Sequence, residues 1–291
     1  MRLFHSKESN ENMREFQLDE DAIERIDNEF PDEEIIEEPP RKSNHRLRRF
    51  IVRFSFLCII IILINVAVLF FTGKLWFNQP DKNDYPIRGA LIDSDMGKIR
   101  WDVFSRQNIS AAYIRATKGT SFKDEQFNEN WRNSHECELL TGAYHVFKLN
   151  TDGKKQGEYF CDAMGDSIKG RLVPAVEVKL NGIYAVASPE KDKVVKSLSD
   201  FCSYVINKYD VKPVIMCTNR SYEKYIQGEF DEYSICITDV YSEPEEGMDW
   251  DFWCYNNRVR VKGYENSKDY FSMFVYKDNI DIDAFKKEYV Y

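Results

Sequence analysis

The sequence lacks most of the short motifs that indicate a particular chemistry. It contains no C-x-x-C, H-E-x-x-H, G-x-S-x-G, Walker-type or EF-hand pattern, and only four histidines among 291 residues. These absences argue against the common zinc, serine-hydrolase, nucleotide and calcium sites, so we predict no metal and no cofactor. An excess of positive charge is also absent, because the formal net charge is -9, and this argues against a nucleic-acid partner.

Charge is missing altogether from residues 54–71, FSFLCIIIILINVAVLFF. Such a run is long enough to cross the hydrocarbon core of a bilayer as one helix. A cleavable signal peptide is the competing interpretation, but the run is too long, lies too far from Met1 and has no A-x-A-like cleavage site. We therefore predict a transmembrane helix over 50–73.

The N-terminal flank of this run is strongly cationic. It carries Arg41, Lys42, Arg46, Arg48, Arg49 and Arg53. Because cationic flanks stay in the cytoplasm, we predict a single-pass membrane protein with a cytoplasmic tail (1–49), a linker (74–87) and an extracellular domain (88–291). Trp76 and Phe77 fit an anchor at the membrane interface.

The N-terminal tail is acidic and then basic, and it has too few apolar residues to hold a core. We predict that it is mostly disordered. Four of its apolar residues recur at four-residue spacing: Leu18, Ala22, Ile26 and Phe30. A short amphipathic helix that contacts a cytoplasmic protein partner is one interpretation of this spacing, and a solvated acidic tail is the other.

The C-terminal two thirds of the chain alternate between strand-like and helix-like patterns. We predict strands over 88–94, 111–117, 140–147, 172–179, 212–218, 233–239, 250–256 and 271–276. Helical patterns separate the first five, over 101–107, 125–137, 153–164 and 190–209. This alternation predicts an α/β fold with a parallel sheet, and the loss of helices toward the C-terminus predicts an irregular, TIM-like β/α barrel.

Six motifs occur in the order of one known family. They are LIDSDMGKIRW, YIRATKGTSFKDEQFNENW, GAYHVF, VPAVEVK, FWCYN and IDIDAF. Residues 88–286 thereby resemble the glycoside hydrolase family 25 lysozymes, which are N-acetylmuramidases that cut the β-1,4 bond between N-acetylmuramic acid and N-acetylglucosamine. The resemblance implies an irregular β/α barrel that acts on peptidoglycan.

The catalytic motif of the resembling family is altered. Its D-x-E pair lies in VPAVEVK, where Glu177 takes the place of the aspartate and Lys179 the place of the glutamate that donates the proton. An ammonium with an ordinary pKa near 10 cannot imitate a carboxylic acid at neutral pH. Lys118, in RATKG, also stands where the family has a glutamate. Two acidic positions have therefore become basic, which predicts weakened or lost catalysis.

Other residues of the motifs match the site of the family. The resemblance makes Asp93 and Asp281 catalytic candidates beside Glu177, although each could merely cap or brace a strand end. Candidates for substrate binding are Tyr144, His145, Trp253, Tyr255 and Lys118. A hydrogen-bonded strand histidine is the alternative for His145, and a core position is the alternative for Trp253. Reserve carboxylates at strand ends are Asp95, Asp239 and Asp283.

We therefore expect a membrane-anchored, lysozyme-like protein that acts on or binds peptidoglycan or a related glycan. Two alternatives stay open. One is an active muramidase that uses a rearranged site, and the other is a non-catalytic protein-interaction scaffold.

Overall fold

The computed structural model describes residues 44–264 and 270–291. From Ile60 onward these residues form one compact unit. The predicted disorder of the tail and the amphipathic pattern within it lie outside the described residues, apart from the last few positions before the apolar run.

The apolar run forms helix α1, His45–Phe71. The helix begins five positions before the predicted start at 50, because arginine is a good helix former and nothing in the basic stretch interrupts the helix. Residues 45–49, predicted as the end of a mostly disordered tail, are therefore helical. Gly73 follows the helix with φ of 67°, a left-handed conformation that commonly ends helices. By length and composition α1 is able to cross a membrane.

The domain is built on a closed barrel of eight strands, as the alternation of strands and helices predicts. The strands are β1 (Arg88–Ile92), β2 (Ala111–Lys118), β4 (Leu140–Val146), β5 (Ala175–Val178), β6 (Val214–Cys217), β7 (Ile235–Ile237), β8 (Phe252–Val259) and β9 (Phe271–Tyr276). β1 pairs with both β2 and β9, which closes the barrel. All neighbours are parallel except β9, which is antiparallel to β8 and to β1. A short strand, β3 (Phe122–Lys123), extends β2 as a hairpin.

Helices cover the outside of the barrel unevenly. They are α2 (Trp101–Phe104), α3 (Phe127–Asn133), α4 (Gly153–Met164), α5 (Lys191–Tyr209), α6 (Asn219–Ser221, continued by a π-helical turn, Tyr222–Ile226) and α7 (Ile282–Tyr289). α4 and α5 approach closely, because a Cβ at Gly153 would lie 1.6 Å from the carbonyl oxygen of Ser197. Between β7 and β9 the described residues contain no helix, so the barrel is irregular, as expected.

Side-chain alternation divides the core into two layers. One layer lies between strands and helices and includes Phe160 and Phe201. The other fills the barrel and includes Tyr113, Tyr144 and Phe274. α7 closes the end of the barrel at which β1 and β8 begin, so the open end, the barrel mouth, is where β1 and β5 end.

The segment predicted as a linker packs on the barrel. The indole of Trp76 is only 5% exposed, and its Nε1 donates a hydrogen bond to the backbone oxygen of Tyr255 at 2.8 Å. Asn78 Nδ2 donates to the backbone oxygen of Val240. The prediction that Trp76 anchors the membrane interface is therefore wrong, because the ring is buried in protein. Phe77 is exposed.

Candidate functional site

The exit of β5 places Glu177 and Lys179 side by side at the barrel mouth. The two side chains share a face because they are two positions apart on an extended chain. Lys179 Nζ lies 2.6 Å from Glu177 Oε1, and the Glu177 side chain is only 12% exposed. Burial opposes the charge on Lys179, but the Glu177 carboxylate outweighs it, so the pKa of Lys179 is raised above its ordinary value. Lys179 is therefore a cation at neutral pH and a poor proton donor.

A second ion-pair cluster lies beside the first and is centred on Arg115 of β2. Arg115 Nη2 lies 2.8 Å from Asp124 Oδ2, and Nη1 lies 3.3 Å from Asp93 Oδ2. The Asp124 side chain is 1% exposed and also accepts hydrogen bonds from the backbone N–H groups of Ser94 and Gln126. Asp124 is thus a structural anchor that holds Arg115 against Asp93.

Arg115 and Asp124 were not among the predicted site residues. Two features of the sequence point to them. Arg115 is two positions beyond Tyr113, so it shares the face that lines the barrel, and Asp124 stands at the aspartate of the family motif D-x-x-F-x-x-N-W.

Two groups of the mouth are shifted toward their neutral forms. Burial raises the pKa of the Asp93 carboxyl, and this effect exceeds the opposing attraction of Arg115. Burial, reinforced by the charge of Glu177, raises the pKa of the Tyr144 phenol well above its ordinary value. Tyr144 is therefore a neutral hydroxyl at the mouth, and Asp93 takes up a proton more readily than an exposed aspartate does.

These residues enclose a cavity of about 290 Å³. Its polar lining consists of Asp93, Arg115, Lys118, Tyr144, Glu177, Lys179, Asn181 and Ser272. An adjoining cavity of about 270 Å³ shares Lys118, Lys179 and Asn181 with the first and adds Lys148 and Tyr184. The structure thus brings together five predicted site residues, namely Asp93, Lys118, Tyr144, Glu177 and Lys179. In the described part of the chain, no group of three or more His, Cys, Asp or Glu side chains is placed to hold a metal ion.

Asp281 lies at the other end of the barrel. It follows β9, which runs antiparallel to β1 and therefore ends at the closed end. Its Oδ1 accepts a hydrogen bond from the backbone N–H of Ala284 at 2.7 Å and caps α7. The prediction that Asp281 belongs to the catalytic group is therefore wrong. The alternative, that Asp281 caps an element end, is correct.

His145 faces away from the mouth. Its ring is fully buried between strands and helices, with Nδ1 2.7 Å from Thr117 Oγ1 and Nε2 3.2 Å from Gln156 Oε1. Burial lowers its pKa to about 4. A substrate at the mouth cannot reach this ring, so its predicted role in binding is replaced by a structural one.

Trp253 and Tyr255 also lie outside the mouth. The Trp253 indole is buried and donates to the backbone oxygen of Asp239 at 3.1 Å, so the core alternative describes it. Tyr255 is buried, with its hydroxyl 3.4 Å from Nη1 of Arg88. Both residues occupy positions of β8 whose side chains join the layer between strands and helices.

The three reserve carboxylates, Asp95, Asp239 and Asp283, do not line the mouth cavity. Asp239 accepts a hydrogen bond from the backbone N–H of Asn219. Asp283 pairs with Lys286 on α7 at the closed end. Asp95 is exposed beside Asp93 and donates its backbone N–H to Asp93 Oδ1.

The eight-stranded barrel places this chain in the class of β/α-barrel proteins. The enzymes of this class have their active sites at the C-terminal ends of the strands, where β1 and β5 here carry Asp93 and Glu177. Within this class the chain belongs to the glycosyl hydrolases family 25, whose family model matches residues 92–264.

Similar proteins extend this match over most of the domain. A family 25 glycosyl hydrolase from Bacillus anthracis has a solved structure that is 28% identical, with a TM-score of 0.66, and the match covers 72% of this chain and 97% of that one. The uncharacterized protein YegX of Escherichia coli O157:H7 is 27% identical over 193 residues, which are 64% of this chain and 69% of YegX. Lysozyme M1 of Streptomyces globisporus is 34% identical over 92 residues, 31% of each chain.

Proposed function

We propose that this protein is a membrane-anchored family 25 barrel that binds peptidoglycan and hydrolyses it weakly or not at all. The substrate class is supported by family membership and by similar proteins named as lysozymes. The loss of hydrolysis rests on one observation, the 2.6 Å ion pair between Lys179 Nζ and Glu177 Oε1.

The ion pair removes two requirements of glycoside hydrolysis at once. The reaction needs a carboxylic acid that protonates the leaving oxygen and a second carboxylate that stabilises the oxocarbenium-like centre or activates water. Lys179 occupies the position of the acid and holds its proton firmly. Its ammonium also neutralises Glu177, which lowers the capacity of that carboxylate to stabilise developing positive charge. Binding does not need either step, and the mouth still offers Tyr144, Asn181 and Tyr184 to a polar glycan.

The anchoring part of the proposal is supported by α1. This helix is apolar, exposed along its length and long enough to cross a bilayer. The cationic residues around its N-terminal end favour a cytoplasmic N-terminus, and this topology places the barrel outside the cytoplasm.

Hydrolysis is tested with the purified full chain in detergent, incubated with purified peptidoglycan while new reducing ends are counted. We expect binding without new reducing ends from the wild type. Lys179→Glu should produce reducing ends, because two neighbouring carboxylates raise the pKa of one of them and make it a proton donor. Lys148→Glu is the matched control, since it makes the same charge change in the adjoining cavity away from the position of the family acid. Wild-type hydrolysis that disappears in Glu177→Gln would contradict the proposal.

Asp93 favours a second candidate function, an active muramidase with a rearranged site. Its pKa is raised by burial, which is the direction that a proton donor needs, and it lines the same cavity as Glu177. This function predicts that the wild type releases reducing ends and that Asp93→Asn and Glu177→Gln each abolish the release. Asp283→Asn, on α7 at the closed end of the barrel, should leave it intact. An inactive wild type excludes this candidate.

A further inference from the structure

A larger cavity lies apart from the mouth, on the flank of the barrel where α1 ends. Its volume is about 570 Å³, nearly twice that of the mouth cavity, and we refer to it as the flank cavity. Four cationic side chains that line it, Lys74, Lys82, Arg88 and Arg258, outnumber its one carboxylate, Asp81, and a fifth, Arg260, contacts the hydroxyl of Tyr270. This concentration of positive charge is unusual in a protein with a net charge of -9, and it indicates an anionic ligand.

Two arginines of the flank cavity carry hydrogen-bond donors without acceptors. Arg88 is only 7% exposed; its Nη1 and Nη2 contact the hydroxyl of Tyr255 and the backbone oxygen of Pro80, but its Nε has no partner among the described residues. Arg258 Nη1 donates to the backbone oxygen of Phe71 at 2.9 Å, and its buried Nε is also unpartnered within the described chain. Both Nε atoms are nearly inaccessible, so it is the positive charge of the two guanidinium groups, and not these N–H groups, that the cavity offers to a ligand.

The chemistry of the lining selects a phosphate group. A guanidinium presents its N–H donors in a planar fork that matches the oxygens of phosphate, and lysine ammonium groups add positive charge around it. The volume is within the range of small-ligand sites. Apart from Gly73, Pro80 and Val259, every residue of the lining carries a polar group, which favours a polar ligand.

The position of the cavity along the chain indicates where the phosphate comes from. Thr72, Gly73 and Lys74 line the cavity and directly follow Phe71, the last residue of α1. With α1 in a bilayer, residues immediately after the helix lie at the depth of the lipid headgroups. The aromatic side chain of Phe71 also lies under the guanidinium of Arg258, with 5.2 Å between the guanidinium carbon and the ring centroid.

We propose that the flank cavity binds the phosphate of an anionic membrane lipid, with Lys74, Lys82, Arg88 and Arg258 as the positive charges that attract it. The site rests on the membrane anchoring proposed above and is independent of what the barrel mouth binds. It would fix the barrel to the membrane surface at a second point beside α1.

Native mass spectrometry of the full chain, released from detergent after mixing with phosphatidylglycerol, phosphatidylcholine or inorganic phosphate, tests this site. We expect the wild type to retain phosphatidylglycerol in preference to phosphatidylcholine. Lys74→Gln/Lys82→Gln should weaken that binding by about 10- to 30-fold, because each lysine near an anionic membrane surface contributes a factor of about three to five. Lys118→Gln/Lys148→Gln removes the same charge at the mouth and should leave it unchanged.

Three results would overturn the proposal. These are unchanged phosphatidylglycerol retention in Lys74→Gln/Lys82→Gln, equal retention of the two lipids, and binding of inorganic phosphate that phosphatidylglycerol does not displace. The last result would assign the site to a free phosphate and not to a lipid. Peptidoglycan binding by the same variant, measured in parallel, reports whether the barrel is folded and separates failure of this site from failure of the function proposed for the mouth.

Discussion

The barrel mouth and the flank cavity differ in how far carboxylates balance their positive charges. At the mouth, Arg115 is held by Asp93 and Asp124, and Lys179 is held by Glu177. In the flank cavity, Lys74, Lys82, Arg88 and Arg258 lie around one carboxylate, Asp81. The two mouth cations that are held in ion pairs serve the fold, whereas Lys74 and Lys82 of the flank cavity, which no described carboxylate pairs, are available to a ligand.

The comparison explains how an acidic catalytic position can become basic without loss of the fold. A lone ammonium at the position of Lys179 would be costly in a partly desolvated strand end. Glu177, two positions earlier on the same face, supplies the counter-charge that makes the lysine tolerable. The altered motif is therefore a complete ion pair, and a change at Lys179 alone is enough to restore two carboxylates at the exit of β5.

The largest effect is expected from Arg115→Gln, which breaks the paired arrangement of the mouth. The substitution leaves the carboxylate of Asp124, which is 1% exposed, without its cation. Removing one partner of a buried pair typically costs about 3–5 kcal/mol, so we expect a loss of that size in the free energy of unfolding. Urea unfolding followed by circular dichroism measures it.

Lys118→Gln serves as the control for Arg115→Gln. Lys118 lines the same cavity and is exposed, so its removal should change the free energy of unfolding by less than about 0.5 kcal/mol. A loss below about 1 kcal/mol in Arg115→Gln would show that the pairs of the mouth stabilise little, and the contrast with the flank cavity would then fail.

His145, on the outer face of β4, shows a third case. Burial keeps its ring uncharged, so no counter-charge is needed. Its pKa is lowered to about 4 by burial, from an ordinary value of 6.5. Between these values the unfolded chain binds a proton that the folded ring does not, so the free energy of unfolding falls as the pH is lowered from 6.5 to about 4. The expected loss from this ring is about 3 kcal/mol. Urea unfolding at intervals of pH measures it.

His145→Gln should flatten the pH dependence of the free energy of unfolding in this interval, even if it lowers stability at every pH. The exposed His135 provides the control, and His135→Gln should keep the wild-type slope. An unchanged slope in His145→Gln would mean that the ring accepts a proton in the folded state.

Much of the fold was predictable from the sequence because the physical signals are local. Alternation of short apolar runs with helical patterns predicted all eight strands of the barrel, and an uninterrupted apolar run predicted α1. The ends were less accurate, since β8 continues to Val259 by pairing irregularly with β9, a contact that the local pattern does not reveal.

The sequence predicted the relative positions of site residues on one strand. It did not predict which strand ends lie at the mouth, because that depends on the direction of each strand in the barrel. The pairing of Glu177 with Lys179 follows from strand alternation alone. Asp281 was misplaced because nothing local indicates that β9 runs antiparallel and ends at the closed end. Neighbouring strand residues face opposite sides, so Tyr144 and His145 could not both reach the mouth, and the motif match did not indicate which one would.

The smallest effect on stability is expected in the flank cavity, from Lys74→Gln/Lys82→Gln. Both lysines are exposed, and no carboxylate of the described chain pairs with them, so the substitution removes repulsion and no attraction. We expect the free energy of unfolding to change by less than about 0.5 kcal/mol, toward higher stability, and the change to shrink as salt is added. Thermal unfolding of the full chain in a zwitterionic detergent, at low and high salt, measures it, with Lys118→Gln/Lys148→Gln as the charge-matched control. A loss above about 1 kcal/mol would assign these lysines to the fold and remove the distinction between the two regions, because cations that stabilise the chain by themselves do not imply an external anion.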